Sequence, residues 1–284
     1  MNGTMAKTWS DVQKRRLREL DAGSKVLSRE FSALDERDNA FREIEKDLVR
    51  QGRRQLEQLR SIHLRPALCR LESTLVDTLN GSGFVQVSSP IIMSRGVLAK
   101  MGIDARHPLD SQVFRLDDRR CLRPMLAPHL YYLLTDLLRL WEHPVRIFES
   151  GPCFRKETQG AQHAAEFTML NLVEMGLPGA ACRERLEELA GLVTRAAGLT
   201  GFSLQTEASV VYGQTIDVLA GKEPIEVGSG AIGPHPLDRP WKISVPWVGI
   251  GFGLERLLMA RDGGENLSRY GRSLSYLDGV RLNI

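Results

Sequence analysis

Aromatic residues make up only 6% of this 284-residue chain, and its four cysteines, Cys69, Cys121, Cys153 and Cys182, lie far apart with no CxxC pair. That spacing argues against paired-cysteine metal and redox signatures and leaves reduced core thiols as the ordinary reading. No apolar run approaches the roughly 18 residues that would suggest a membrane span. The N-terminus also lacks the charged-then-apolar pattern of a secretory signal. These absences lead to the expectation of a cytoplasmic protein that is neither exported nor membrane-spanning.

The chain is 42% hydrophobic, enough to bury one large core with a smaller domain appended. Its net charge of +3 is mild, but the basic excess lies upstream. Arg50, Arg53, Arg54, Arg60, His63 and Arg65 meet almost no acid except Glu57. Such a cluster either neutralises phosphates or forms a solvated helix face. Residues 9–21 and 38–60 have helical composition, polar enough for an appendage over residues 1–65.

Pro66 then opens a helix whose Leu68, Leu71, Leu75, Val76 and Leu79 recur at helical spacing, with Asn80-Gly81 as its stop. The strand expected over 83–92 is broken by Pro90, which belongs at a sheet edge or a subunit seam. Residues 112–116 and 120–122 read as a short hairpin. A helix over 127–141 carries Ala127, Leu130, Tyr131 and Leu134 on one face, a stripe that is usually core. A further helix is expected over 180–197, and strands over 202–212, 214–219 and 225–232.

The most informative stretch is 144–175, where two strand-like runs, 145–154 and 166–175, flank a polar loop as in an antiparallel hairpin. Alternation puts Arg155 and Glu157 together at the end of the first run. It also puts Phe167, Met169, Asn171, Val173 and Met175 on one face of the second. That face is apolar except for Asn171. A buried amide without partners costs about 1–3 kcal/mol, so Asn171 is either bonded internally or kept for a ligand. Glu226 and Ser229 place polar groups on a later strand. Gly249, Gly251 and Gly253 alternate, which does not fit a dinucleotide fingerprint. They clear one strand face, either for packing or for a flat ligand, and Arg256 follows on the first helical turn, where a cation and a helix N-terminus can both meet a phosphate.

The FRKE run at 154–157, the strand 166–175 and GIGFGLER at 249–256 follow a helix and a GFxxVxxP-like segment in this order. Together they resemble the three signature motifs of class II aminoacyl-tRNA synthetases over residues 66–284. LRPMLAP at 122–128, EFTMLN at 166–171, VYG at 211–213, PWVGIGFGLERLL at 246–258 and RSLSYLDG at 272–279 are closer still to the catalytic domain of the pyrrolysyl-tRNA synthetase family.

The resemblance implies an α+β fold, an antiparallel sheet flanked by helices with an N-terminal helical extension. It also implies a homodimer and an ATP-dependent ligase that joins pyrrolysine, or a related N-acyl-lysine, to tRNA(Pyl) through an aminoacyl-adenylate. Arg155 and Arg256 would be catalytic, and Arg155, Glu157, His163, Phe167 and Arg256 would bind ATP. Glu226 and Ser229 would hold Mg²⁺. The amino-acid pocket would comprise Ala127, Leu130, Tyr131, Leu134, Asn171, Val173, Tyr212, Ala231, Trp247, Gly249 and Gly251, with Tyr212 as a lid and Asn171 donating to the substrate amide. Val173 and Ala231 stand where pocket size varies within the family, so another amino acid is an alternative, as is a non-catalytic tRNA-binding paralogue. The first 65 residues are too few for the tRNA-binding domain fused in some members, so a separate chain supplies it or none is needed.

Overall fold

The computed structural model describes residues 7–156 and 164–284. By its contacts the chain forms two units, residues 1–66 with 273–284, and residues 67–272. The last twelve residues, expected with the catalytic domain, thus cluster with the N-terminal segment.

In the first unit, α1 (Asp11–Glu19), α2 (Ser24–Leu27) and α3 (Leu34–Gln58) enclose a small core of Trp9, Leu17, Ala22, Phe31 and Ala40. Ser10 and Gln13 form a capping box that starts α1. The Trp9 ring meets Phe31 edge-on at 4.5 Å while its indole N–H donates to the Val26 carbonyl at 2.7 Å. On α3, Gly52 leaves room for Val280 and Ile284: a Cβ there would lie 3.1 Å from each.

The second unit contains α4 (Ala67–Gly81), β1 (Val85–Gln86), β2 (Ile92–Ser94), α5 (Arg95–Ala99), β3 (Arg120–Leu122) and α6 (Ala127–Leu140). It continues with β4 (Val145–Phe154), β5 (Glu166–Met175), α7 (Cys182–Ala196), β6 (Phe202–Ser209), β7 (Gly213–Ala220), β8 (Ile225–Gly233), β9 (Trp247–Gly253) and α8 (Leu254–Asp262). Seven strands form one sheet in the order β1-β4-β5-β9-β8-β7-β6, antiparallel except where β1 joins β4. Strand alternation divides the core in two. Leu170, Leu172, Val248, Ile250 and Phe252 pack with α4, α7 and α8, whereas Ile147, Val173, Met175, Ala231 and Trp247 pack with α6.

The expected hairpin around residue 117 survives only as a turn with an isolated Arg115–Cys121 bridge. The Asp117 carboxylate accepts from the backbone N–H groups of Arg119 and Arg120, holding the turn locally. Residues 120–122 pair instead with Ile92–Ser94. The 83–92 segment accordingly splits into β1 and β2 on either side of Pro90.

Inside β4 lies a charge that the surrounding packing excludes from water. Glu149, 2% exposed, accepts from Arg123 Nη1 at 2.6 Å and from the Ser89 hydroxyl at 2.6 Å. Arg123 also donates to the Pro152 carbonyl at 2.8 Å, so both ions are multiply bonded. Removing one partner of such a pair strands the other. We expect Arg123→Met to destabilise the second unit by about 3–5 kcal/mol, measured by chemical denaturation, with Arg123→Met/Glu149→Leu recovering much of that loss.

Candidate active site

A cleft of about 410 Å³ opens over the central strands. Its floor follows from register. Across β5, β9 and β8, Asn171 lies opposite Gly251, which lies opposite Ser229; in the next row Val173 faces Gly249, which faces Ala231. The glycines thus form a bare lane between two strands that carry side chains. A Cβ at Gly251 would lie 3.1 Å from Met169 and 3.7 Å from Asn171 Oδ1. Phe167, Met169, Asn171, Val173 and Met175, the odd-numbered face of β5, all border the cleft.

One end is polar. The Arg155 guanidinium sits 5.2 Å from the centre of the Phe167 ring and donates through Nε to the Pro124 carbonyl at 2.9 Å. Arg256, in the first turn of α8, meets the Glu226 carboxylate at 3.1 Å. Ser229 donates to Asp217 at 2.6 Å, and Thr215 donates to the same oxygen at 3.1 Å. Glu255 is 2% exposed and accepts twice from the Thr168 N–H, at 2.8 and 3.0 Å. Burial outweighs these bonds and the nearby Arg272, pushing the Glu255 carboxyl up to about 6.

The other end is apolar, with its few polar groups tied down by one acid. Asp238 is 1% exposed and receives the Tyr131 hydroxyl at 2.8 Å, the Trp247 indole N–H at 2.8 Å and the His235 backbone N–H at 2.6 Å. Three donors satisfy the carboxylate and fix two aromatic walls of the cleft. Burial, reinforced by Tyr212 and Asp238, raises the Tyr131 phenol above its ordinary value and keeps it a donor. The exception is Asn171, whose Oδ1 is buried without a hydrogen-bond partner among the described residues.

Of the residues expected from sequence, Ala127, Tyr131, Arg155, Phe167, Asn171, Val173, Tyr212, Glu226, Ser229, Ala231, Trp247, Gly249, Gly251 and Arg256 converge on this one cleft. Leu130 and Leu134 do not reach its wall: both are fully buried in the core cluster, and α6 presents Ala127 and Tyr131 instead. The stripe that groups these four spans more of the helix than the cleft touches. Glu157 and His163 lie outside the described residues. Glu255, Asp217 and Asp238 were missed; only Glu255 had a sequence signal, its place between Leu254 and Arg256.

Residues 55–276 match the family model of the tRNA synthetases class II core domain (F). A crystal structure of pyrrolysyl-tRNA synthetase from Desulfitobacterium hafniense is 56% identical, with 98% of this chain and 99% of that chain covered and a TM-score of 0.93. A second pyrrolysyl-tRNA synthetase structure from that organism is 54% identical over 100% of this chain and 98% of that one, with a TM-score of 0.92. The chain belongs to the pyrrolysyl-tRNA synthetase family. It is an aminoacyl-tRNA ligase of class II, a group that uses ATP. Among the described residues no helix is long and apolar enough to cross a membrane.

The raised Glu255 carboxyl has a consequence for this synthetase. A carboxyl at 4.5 when unfolded and about 6 when folded stabilises the fold fully below pH 4.5 and loses that contribution as pH rises through about 6. The loss amounts to about 2 kcal/mol. Thermal melts should therefore show Glu255→Gln gaining on the parent protein between pH 4.5 and 6.5; a constant difference across that range contradicts the assignment.

Proposed function

We propose that the apolar end of the cleft binds pyrrolysine or a related N-acyl-lysine and the polar end binds ATP, and that the adenylate formed between them is passed to tRNA(Pyl). One observation carries the choice of amino acid: the unpartnered Asn171 Oδ1 in a wall otherwise made of Ala127, Tyr131, Val173, Ala231 and Trp247. A buried amide oxygen left unpaired is costly. A side chain that is long, greasy and carries one amide meets both halves of this wall. Its N–H can satisfy Oδ1, and its carbonyl can accept from the Asn171 amino group. The small Val173 and Ala231 leave width for the acyl group.

At the polar end, Arg155 is suited to the amino-acid carboxylate and α-phosphate, Phe167 to stacking on adenine, and Arg256 to the opposite adenine face and the γ-phosphate. In the first half-reaction a carboxylate oxygen attacks the α-phosphorus, the bond to the β-phosphate breaks, and pyrophosphate leaves with the electron pair. In the second, a hydroxyl of the terminal tRNA adenosine attacks the acyl carbon and AMP departs. Neither step needs a protein nucleophile. Positioning and stabilisation of developing negative charge suffice, which suits a site of arginines and glycines.

Glu226 and Ser229 supply hard oxygen donors from one strand, and no cluster of three or more His, Cys, Asp or Glu side chains exists among the described residues to hold a metal unaided. That donor set fits magnesium shared with the phosphates of ATP. A bound magnesium would neutralise phosphate charge.

Two partners follow. Arg50, Arg53, Arg54 and Arg60 lie exposed near the end of α3, suited to tRNA phosphates and so to positioning rather than base reading. Arg50 and Arg60 meet Asp47 and Glu57 on the same helical segment, at 3.4 and 2.8 Å, pairs that phosphates can replace. The edge at β1 and β2 exposes Val85, Ile91 and Ile92, an apolar margin fitted to a second copy of the chain. Such an enzyme works on the cytoplasmic tRNA pool.

Amino-acid-dependent ATP–pyrophosphate exchange tests both ends. Arg256→Ala should lower exchange roughly 100-fold or more while leaving the circular dichroism spectrum unchanged; undiminished exchange contradicts its role. Asn171→Ala should cut kcat/KM for pyrrolysine roughly tenfold or more and favour acids lacking the amide; unaltered preference contradicts amide recognition. Ile91→Asp/Ile92→Asp should convert dimer to monomer in analytical ultracentrifugation, and a dimer that persists rules out this edge.

A further inference from the structure

The tetrapeptide His-Pro-Leu-Asp occurs twice, at 107–110 and 235–238, and the two copies fold alike. Each histidine caps a short 3-10 turn, Pro108–Gln112 in one case and Pro236–Trp241 in the other. His107 Nδ1 accepts from the Leu109 N–H at 3.1 Å, and His235 Nδ1 accepts from the Leu237 N–H at 3.2 Å. A ring nitrogen that accepts carries no proton, so the neutral imidazole holds its hydrogen on Nε2. Both Nε2–H groups then donate into one short segment. His107 reaches the Val210 carbonyl and His235 the Tyr212 carbonyl, each at 3.0 Å.

That segment is the tip of the β6–β7 hairpin, and Val210, Val211 and Tyr212 border the cleft. Val210 is 64% exposed, so little packing holds the tip on that side. Its internal support is the Ser209 hydroxyl, which accepts from the N–H groups of Val211 and Tyr212 at 3.3 and 3.2 Å, and the Gln214 N–H, which donates at 2.7 Å to the Tyr212 carbonyl that it shares with His235. Gly213, at φ +68°, returns the chain to β7. A single bond to such a tip leaves a hinge. Bonds to the carbonyls of residues 210 and 212 fix the 210–211 and 212–213 peptide planes, which bracket Val211 and Tyr212, and so the direction in which the Tyr212 side chain leaves the backbone.

The second turn also connects the tip to the cleft wall. Its Asp238 receives Tyr131 and Trp247, while the Tyr212 ring meets His235 edge-on at 5.6 Å and Trp247 at 6.5 Å. In the first turn Asp110 is held by Arg115, with Arg95 at 3.6 Å. Neither histidine lines the cleft. We propose that the duplicated His-Pro-Leu-Asp turns form a two-point tether that sets Tyr212 over the amino-acid end of the cleft, making His107 and His235 positioning residues for the acyl chain. This rests on the reading of that end as the amino-acid pocket.

The two functions of each ring can be separated, because Asn places an amide atom near Nδ1 and Gln places one near Nε2. The double variant His107→Asn/His235→Asn keeps the caps and loses the tether. In ATP–pyrophosphate exchange it should raise the KM for pyrrolysine roughly three- to tenfold, the scale of lost neutral hydrogen bonds, leaving the KM for ATP and kcat as in the parent. Hydrogen–deuterium exchange of the free protein should quicken at residues 209–213, with an unchanged melting temperature. His107→Gln/His235→Gln keeps the donors and should hold the pyrrolysine KM near the parent value even where the melting temperature falls. An Asn variant with parental tip exchange and parental pyrrolysine KM overturns the tether, as does an equal rise in the KM for ATP. If the parent protein shows no exchange with pyrrolysine, the amino-acid assignment fails, and the deuterium measurement alone still decides whether the histidines hold the tip.

Discussion

The register of β5 against β9 is the constraint on which the site depends. With Asn171 opposite Gly251 and Val173 opposite Gly249, the side chains of one strand overhang a lane of the other that has none. A slip of one residue would bring Leu170 and Leu172 into the cleft and send Asn171 into the packed layer beneath α7 and α8. Both faces resist that slip. On one, Leu170, Leu172, Ile250 and Phe252 are buried together; on the other, Val173, Met175 and Trp247 are. The hydrophobic division that stabilises the sheet is therefore the same one that positions the cleft-facing amide.

The two ends of the cleft treat charge in opposite ways. At the apolar end every charge is buried and satisfied: Asp238 takes three donors and leaves the wall neutral toward a ligand. At the polar end Arg256 and Glu226 remain partly exposed and, among the described residues, pair with each other and with backbone, a contact open to exchange for a charged ligand. The first end favours a ligand chosen by shape and one amide. The second favours a ligand chosen by charge. An enzyme that activates a greasy amino acid with a triphosphate needs that separation, because charge at the wrong end would carry a desolvation cost.

Local signals carried much of this arrangement. The strands around the central loop were readable to the residue, 145–154 and 166–175, because alternation and flanking polar segments both mark them. The odd-numbered face of β5 followed from the same period. Leu130 and Leu134, expected in the pocket, lie fully buried in the core cluster beside it, because a cleft-lining stripe and a core-facing stripe have the same composition and only tertiary packing separates them. The pairing of Arg120–Leu122 with Ile92–Ser94, and the glycine lane between β5 and β8, depend on contacts distant in sequence. Asp238 gave no warning, since a lone acid in a Pro-rich turn reads as exposed until its three donors are seen. The motif-based resemblance bridged these long-range gaps for the polar end and most of the pocket.

The most direct test of this division of labour is ATP–pyrophosphate exchange by the purified parent protein with magnesium and a panel of pyrrolysine, N-acyl-lysines, lysine, phenylalanine and the other standard amino acids. The account predicts exchange with pyrrolysine and acyl-lysines and none with lysine, whose ammonium group would have to enter the apolar end unpaired. Exchange with lysine at comparable kcat/KM, or with a standard amino acid in preference to the acyl-lysines, would contradict it.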